Sequence, residues 1–371
     1  MKPVFEEAEF YLKTNAERLS PAEKEPHYAL RFLVLSVICA AVFLASFLLG
    51  RYSVDPASLL RILCDQVTSF FGGLFRQDWS LTQTWSNQEE TVILQIRLPR
   101  IAAAALVGAA LSTAGAAYQG MFRNPMVSPD ILGASSGAGF GAAMGILMYF
   151  GYFGISVCAF AFGLGAVLLA YLISKVSRLN TTLSMVLAGI MVSSLFSSCT
   201  SFVKLIADTE EVLPAITYWL MGSLASIKPR DVWFLLIPVL AGLIPLLLLR
   251  WKINILTVSE EEAASLGINT GRLRLVVIFC ATLMTAGSVA VSGMIGWVGL
   301  VIPHFCRMIF GYDYKRLIPA SAVFGAAFLM VVDNIARNVA TSEIPLGILT
   351  SFIGAPVFVY LILTGGTNRG R

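Results

Sequence analysis

Two titratable residues, Asp333 and His304, lie inside long apolar stretches of this sequence and could do chemistry there. Asp333 precedes Arg337 by four residues, a spacing at which the two side chains could pair along one helix. A carboxylate that relays protons through an apolar environment is the alternative interpretation of Asp333. His304 follows Pro303 and has no second histidine or carboxylate close in sequence, which favours a packed, hydrogen-bonded histidine over a metal ligand.

A hydroxyl-rich stretch suggests a second kind of site. Five serines follow the three- and four-residue spacing of a single helix face: Ser193, Ser194, Ser197, Ser198 and Ser201. Such a stripe in an apolar helix either bonds to neighbouring helices or faces water. Because it has no fixed charge, it would suit a large ligand that slides past without binding tightly.

A polar loop in the second half of the chain predicts a short helix. Ser259 and Glu262 form a capping box, and the acids lie in the first turn, where the helix dipole favours them. Gly267 is placed to end the helix. The segment is either a solvated surface helix or a knob that a soluble partner could grip, and it consists of Ser259, Glu260, Glu261, Glu262, Ala263, Ala264, Ser265, Leu266 and Gly267.

Familiar catalytic motifs are missing from the sequence. It contains no GxxxxGK[ST] phosphate-binding loop, no GxSxG and no HExxH. Its six cysteines form no CxxC pair and are predicted to be small packing residues. We therefore predict no catalytic residue and no metal site, and the chain alone has no evident means of hydrolysing ATP.

The composition indicates which elements hold these residues. Of the 371 residues, 57% are hydrophobic and 13% are charged, about half the charged share of a soluble domain. A soluble protein of this size could not bury so much apolar surface. The composition therefore excludes a soluble enzyme, a nucleic-acid-binding domain and a secreted disulfide scaffold, and it predicts a membrane protein.

Ten apolar runs are predicted to cross the membrane, since a spanning helix needs roughly 20 residues. They are residues 32–49, 101–118, 131–150, 155–172, 183–205, 232–249, 275–294, 297–310, 317–335 and 344–363. Residues 213–224 form an apolar piece that is too short to span. The polar stretch 51–95 is predicted to be a loop with room for one short helix.

The ends of the chain and the loops predict its orientation. Residues 1–30 are predicted to be a soluble arm because acids stand where a signal peptide has bases, and residues 31–371 are predicted to form the membrane domain. With ten spans, 17 basic residues lie on the side of the termini and 9 on the other side. Both termini are therefore predicted to be cytoplasmic, and the net charge of +4 reflects this topology.

Two patterns of small residues predict how the spans are arranged. Thr113-Ala114-Gly115 recurs as Thr285-Ala286-Gly287, five spans later, which predicts two halves that are inverted in the membrane. The third span has one glycine every four residues, which predicts close approach of another helix: Gly133, Gly137, Gly141 and Gly145.

A series of short motifs runs in a fixed order through residues 95–363. They are Gln95-Ile96-Arg97-Leu98-Pro99-Arg100, Leu106-Val107-Gly108-Ala109-Ala110-Leu111, Asn124-Pro125, Leu132-Gly133, Leu187-Ala188-Gly189, Ala264-Ser265-Leu266-Gly267, Gly299-Leu300-Val301-Ile302-Pro303-His304, Pro345-Leu346-Gly347 and Gly354-Ala355-Pro356. With these motifs the sequence resembles the permease subunits of binding-protein-dependent ABC importers for iron-siderophore, haem and cobalamin, the FecCD type.

The resemblance implies an all-α polytopic membrane protein with about ten transmembrane helices in two inverted five-helix halves. Two copies would form a two-fold dimer with the translocation path at its axis. The path would be lined by Ser193, Ser194, Ser197, Ser198 and Ser201, with a cytoplasmic gate at Asn180, Thr181 and Thr182. The helix at Ser259–Gly267 would be the coupling segment that seats in the ATPase subunit.

The resemblance also implies a docking site for an external binding protein at Arg97, Arg100 and Arg337. The predicted topology places all three outside. Arginine suits this role because it is always charged and can hold a carboxylate with two hydrogen bonds.

The resulting hypothesis is the permease subunit of an importer in the cell membrane of a prokaryote. It implies a homodimer, two ATPase subunits that bind ATP and Mg, an extracytoplasmic substrate-binding protein and membrane lipid as partners, without nucleic acid and without a cofactor on this chain. The expected cargo is a metal chelate, with a ferric siderophore as the first candidate and haem, cobalamin and molybdate as the other candidates. The alternatives are an ion-coupled secondary transporter that uses Asp333 and an intramembrane enzyme that uses His304.

Overall fold

The computed structural model describes residues 28–75, 83–177, 181–257, 263 and 269–365, and in these ranges the regular elements are helices. Most of the predicted arm 1–30 lies outside the described residues. The helices, in chain order, are α1 (Tyr28–Leu48), α2 (Pro56–Phe75), α3 (Asn87–Met121), α4 (Ala134–Leu147), α5 (Tyr152–Val176), α6 (Thr181–Ile206), α7 (Val212–Met221), α8 (Pro229–Leu256), α9 (Thr270–Ser292), α10 (Val298–Phe310), α11 (Tyr314–Asn338) and α12 (Leu346–Gly365).

The ten predicted spans each coincide with one helix, and the short apolar piece coincides with α7. Among the described residues, seven helices are long and apolar enough to cross a membrane, namely α1, α3, α5, α6, α8, α9 and α11. Shorter apolar helices complete the set at α4, α7, α10 and α12. The all-helical polytopic fold is thereby confirmed.

The region before the second span differs from the prediction. Residues 56–75 form the 20-residue helix α2 rather than a loop with one short helix. Gly72 and Gly73 lie inside its last turns, although adjacent glycines usually favour a turn. Leu59 and Ile62, one turn apart, are 4% and 1% exposed, so α2 buries one apolar face and leaves its other face outward.

Helix α3 is the centre of the bundle and contacts α8, α9, α10 and α11. It can lie so close to them because small residues face small residues. A Cβ atom added to Gly108 would clash with the backbone of Gly325 on α11, and one added to Gly115 would clash with the backbone of Gly299 on α10. Lipid supplies no hydrophobic drive between helices, so this close backbone approach is a main source of their attraction.

The glycine row of the third span acts as predicted. Gly137, Gly141 and Gly145 face α5, and a Cβ atom at Gly137 would lie 2.5 Å from the carbonyl oxygen of Phe162. Gly133 is different because it begins α4 with a φ of 86° and faces Ser193 on α6. Only a glycine adopts such a φ without strain.

The pattern of helix contacts agrees with the predicted sequence repeat. Helix α4 packs on α5 as α10 packs on α11, and α5 packs on α6 as α11 packs on α12. Helix α3 contacts α11 as its counterpart α9 contacts α5. The inverted orientation of the two halves follows from five intervening spans and is consistent with these contacts.

A substitution of Gly141 tests the close contact between α4 and α5. Gly141→Val would force its side chain against the Cys158 backbone, so we expect a loss of about 1–3 kcal/mol in stability from overpacking. Thermal unfolding of the detergent-purified protein measures the loss.

The matched control is Gly165→Val on α5, where an added Cβ atom meets nothing within 4 Å. This change has the same helix-propensity cost and should leave the unfolding temperature nearly unchanged. Equal unfolding temperatures for the two variants would contradict the packing account.

Candidate functional site

The serine stripe lies on the free face of α6. Ser194, Ser197, Ser198 and Ser201 are exposed, and Ser193 is half-buried against Gly133. The opposite face of α6 packs on α4, α5 and the turn at Pro129–Leu132. Within the described residues, the four exposed serines therefore do not join α6 to other helices of its own chain.

Apolar side chains share this face with the serines. Leu187, Met191, Leu195 and Phe202 are 42%, 63%, 54% and 62% exposed. The sequence from residue 181 to residue 203 contains no charged side chain. The face thus offers hydroxyl groups among apolar groups over most of the helix, a surface that can contact water or a ligand without a strong point of attachment.

The predicted gate is described only in part. Asn180 lies outside the described residues, whereas Thr181 and Thr182 form the first turn of α6 and are exposed and half-buried, respectively. Just beyond them, the Ser184 hydroxyl donates a hydrogen bond of 2.9 Å to the Ser177 hydroxyl. This bond ties the beginning of α6 to the end of α5.

The predicted coupling segment also lies mostly outside the described residues, which is the case for Ser259, Glu260, Glu261, Glu262, Ala264, Ser265, Leu266 and Gly267. Ala263 is helical and 1% exposed. The segment connects the end of α8 to the start of α9, where the Asn269 side chain accepts a hydrogen bond of 2.9 Å from the Arg272 amide.

The base of this segment is anchored by a polar cluster that sequence reasoning missed. The Asn254 amide nitrogen donates to Asp313 at 2.7 Å, and its oxygen accepts from the Tyr314 backbone at 2.9 Å. Arg123 donates to the Leu256 carbonyl at 2.9 Å. The end of α8 is therefore held to the end of α3 and the start of α11. Asn254 lies just beyond the apolar run 232–249, where its sequence position did not indicate a partner.

The three predicted docking arginines come together at the opposite end of these helices, in what we call the arginine cluster: Arg97, Arg100 and Arg337. They are 4%, 7% and 7% exposed. Arg97 donates to the carbonyls of Phe47 and Tyr52.

The remaining arginine contacts are also internal. Arg337 donates to the Ser46 carbonyl at 2.6 Å and to the Asn334 side chain. In this conformation the arginine cluster thus binds internal groups, and its docking of a binding protein stays a prediction.

Asp333 is bound mainly by Arg100 rather than by Arg337. The Arg100 Nε atom lies 3.0 and 3.1 Å from the two carboxylate oxygens, and an Nη atom lies 2.9 Å from one of them. The Arg337 Nε atom is 4.0 Å away. The expected pairing along α11 is therefore the weaker contact. Asp333 is 1% exposed, so it serves as a structural ion pair between α11 and α3.

Glu343 completes the ion pairs of this end. Its carboxylate accepts a hydrogen bond of 2.8 Å from Arg100, and its side chain is 36% exposed. Sequence reasoning missed Glu343 because it lies in the loop before α12, far along the chain from Arg100.

His304 is half-buried on α10. No group of three metal-ligating side chains occurs within the described part of the chain. One turn further along α10, Arg307 donates to the Gln119 oxygen at 2.5 Å, and the Gln119 nitrogen donates to the Val127 carbonyl at 3.1 Å. These polar groups join α10 to α3 and to the loop after it.

Comparison with known proteins shows the family to which the chain belongs. The FecCD transport family model matches residues 38–364. The molybdate import system permease protein of Haemophilus influenzae is 39% identical over 339 residues, which are 91% of this chain and 96% of the relative. The Fe(3+)-citrate import system permease protein of Bacillus subtilis is 34% identical over 350 residues, again 91% and 96% of the two chains.

A solved structure gives the same result for the fold. A metal-chelate type ABC transporter in an inward-facing conformation matches with a TM-score of 0.79 and 37% identity, over 91% of this chain and 99% of the other. Family model, relatives and structure cover nearly the whole helical bundle. The chain therefore belongs to the FecCD transport family and is a permease subunit of the ABC-importer type.

Proposed function

We propose that this permease conducts a metal chelate, first of all a ferric siderophore or a similar iron chelate, into the cell. The observation that carries the proposal is the free, uncharged face of α6, on which exposed serines alternate with apolar side chains. A large chelate presents both polar and apolar groups. Such a face can solvate both without a fixed charge that would trap the cargo, since transport needs binding that is weak enough to release.

A homodimer would turn this face into a path. A second copy related by a two-fold axis would set the two α6 faces opposite each other, so that the serines of both chains line one channel. Thr181 and Thr182, at the beginning of α6, would then lie at one mouth of the channel with Asn180 and act as its gate.

ATP hydrolysis would occur on two separate ATPase subunits that bind ATP and Mg. Each would receive the segment Ser259–Gly267 of one permease copy. Because Arg123 and Asn254 bind the end of α8 to α3 and α11, movement of the segment would be passed to the bundle rather than lost in a loose loop. The dimer would thereby alternate between outward-open and inward-open states.

An external binding protein would deliver the cargo at the arginine cluster. Docking of its acidic residues on Arg97, Arg100 or Arg337 would require an exchange of the internal partners. Glu343 is the easiest to exchange because it is half-exposed, whereas Asp333 is buried. Both termini would be cytoplasmic in the membrane of a prokaryotic cell.

Molybdate is the second candidate cargo. It is favoured by the 39% identity to the Haemophilus influenzae permease over nearly the full length of both chains. The same face of α6 would also pass a small oxyanion, so the discrimination between the two cargoes would rest on the binding protein.

The proposal predicts ATP-dependent uptake in proteoliposomes that contain the permease, its co-expressed ATPase and its binding protein. We expect uptake of a radioactive ferric siderophore and loss of uptake without ATP. Uptake of molybdate in place of the chelate would support the second candidate. Uptake of either cargo without ATP would contradict the importer mechanism.

The coupling role is tested in the same preparation. The double variant Glu260→Lys and Glu261→Lys should abolish co-purification of the ATPase, because two positive charges would replace two negative charges at the contact with the ATPase. Glu210→Lys with Glu211→Lys, an equal charge reversal in the connection before α7, should retain the ATPase. Retention of the ATPase in both variants, or its loss in both, would contradict the assignment of the coupling segment.

Replacement of Asp333 separates the importer from an ion-coupled transporter. Asp333→Asn leaves Arg100 without its main buried partner, so we expect a loss of about 3–5 kcal/mol in stability. Uptake by the remaining folded protein should stay ATP-dependent. Glu343→Gln, at the half-exposed partner of Arg100, should cost much less, since exposed pairs contribute about 1 kcal/mol or less.

A different result for Asp333→Asn would support the ion-coupled transporter. Normal stability of Asp333→Asn in thermal unfolding, combined with complete loss of uptake and uncoupler-sensitive uptake by the unchanged protein, would indicate a proton-carrying carboxylate.

A further inference from the structure

We propose that the cavity beside the arginine cluster is a binding site for a small inorganic anion such as chloride. The cavity has a volume of about 220 Å³ and lies between the ends of α1, α3 and α11. Four arginines and one acid contribute to its wall: Arg51, Arg97, Arg100, Arg337 and Glu343.

The charges around the cavity do not balance. Its four arginines carry four positive charges, and the acids that contact them are Glu343 and, behind Arg100, Asp333. This leaves an excess of two positive charges, of which one belongs to the exposed Arg51 and one to the almost completely buried arginine cluster. An uncompensated buried charge is strongly destabilising, and an anion in the cavity would remove part of this cost.

The arginines that lack an acidic partner use neutral acceptors. Arg97 donates to two backbone carbonyls, and Arg51 donates to the carbonyls of Ala340 and Thr341 at 2.9 and 2.6 Å. These bonds hold the guanidinium groups in place but do not neutralise them. Because each guanidinium has five N–H donors, further donors remain for a ligand.

One buried donor of a wall residue has no hydrogen-bond partner. The Nε atom of Arg337 has no hydrogen-bond partner, although the residue is 7% exposed and the nearest carboxylate oxygen is 4.0 Å away. A buried N–H without an acceptor costs free energy, which the guanidinium would recover if its side chain turned this N–H toward an anion in the cavity.

The size and chemistry of the cavity favour an inorganic anion from solution. About 10–15 Å³ is sufficient for one water molecule, so a cavity of this volume has room for a chloride or a sulfate with part of its hydration. Convergent N–H groups of fixed geometry are the donors that small anions prefer. The bound anion would act as the counter-ion of the arginine cluster while no acidic residue of a binding protein is docked there.

Thermal unfolding of the full-length chain in detergent tests the site. Sodium chloride is titrated against sodium gluconate at constant ionic strength, which separates specific binding from screening. We expect chloride to raise the unfolding temperature by about 2–4 °C in a saturating manner, as a ligand of the folded state does. Sulfate serves as the second probe.

Variants of the arginines show whether chloride binds in this cavity. Arg337→Gln removes the unused donor and one charge, and the half-saturating chloride concentration should rise at least about tenfold. Arg51→Gln, at the exposed rim, is the second variant in case Arg337→Gln does not fold. Arg61→Gln is the matched control, since Arg61 is exposed and donates to Thr84 outside the cavity.

An unchanged unfolding temperature in chloride and gluconate would overturn the proposal. So would an equal chloride effect in the unchanged protein, Arg51→Gln and Arg61→Gln, because the anion would then act elsewhere. None of these readouts involves transport, so a failure here leaves the importer assignment intact.

Discussion

The close approach of backbones around α3 is the constraint on which the rest of the structure depends. Lipid tails are as apolar as the side chains, so burial of an apolar side chain between helices lowers the free energy little. Helices therefore associate through short contacts and internal hydrogen bonds. Gly108 and Gly325 allow such a contact between α3 and α11. Beside them the Ser112 hydroxyl lies 2.7 Å from the Gly108 carbonyl and 2.6 Å from the Ser321 carbonyl. This seam aligns α3 and α11 along their length and sets the position of the polar groups at both of their ends.

Each of those ends holds a polar cluster. At one end, Arg100 on α3 binds Asp333 on α11. At the other, Arg123 joins the end of α3 to α8, and Asn254 joins α8 to the start of α11. Helix α6 lies outside this frame, with one face on α4 and α5 and the other face free. A closely packed centre and a free hydroxyl-bearing helix would suit the proposed channel between two copies.

Sequence patterns predicted the helices well because apolar length is a local property. The same patterns failed for α2, where the adjacent Gly72 and Gly73 favoured a turn. For Asp333 the helical spacing predicted the ion pair with Arg337, which is present at 4.0 Å, but not the closer pair with Arg100. The closer partner, Arg100, is 233 residues away, and no local rule reports such a pairing. The serines could be assigned to one face, but whether that face meets protein or the outside depends on the packing of α6.

The reactivity of a cysteine on that face tests the central claim most directly, namely that the free face of α6 lines an aqueous path. In a variant whose six native cysteines are replaced, Ser198→Cys would be treated with a charged, water-soluble thiol reagent in the assembled transporter. Our account predicts rapid modification and loss of uptake, whereas Ala188→Cys, on the packed face and 2% exposed, should stay unmodified. Modification of Ser198→Cys only by an apolar, lipid-soluble reagent would place this face in contact with lipid and contradict the account.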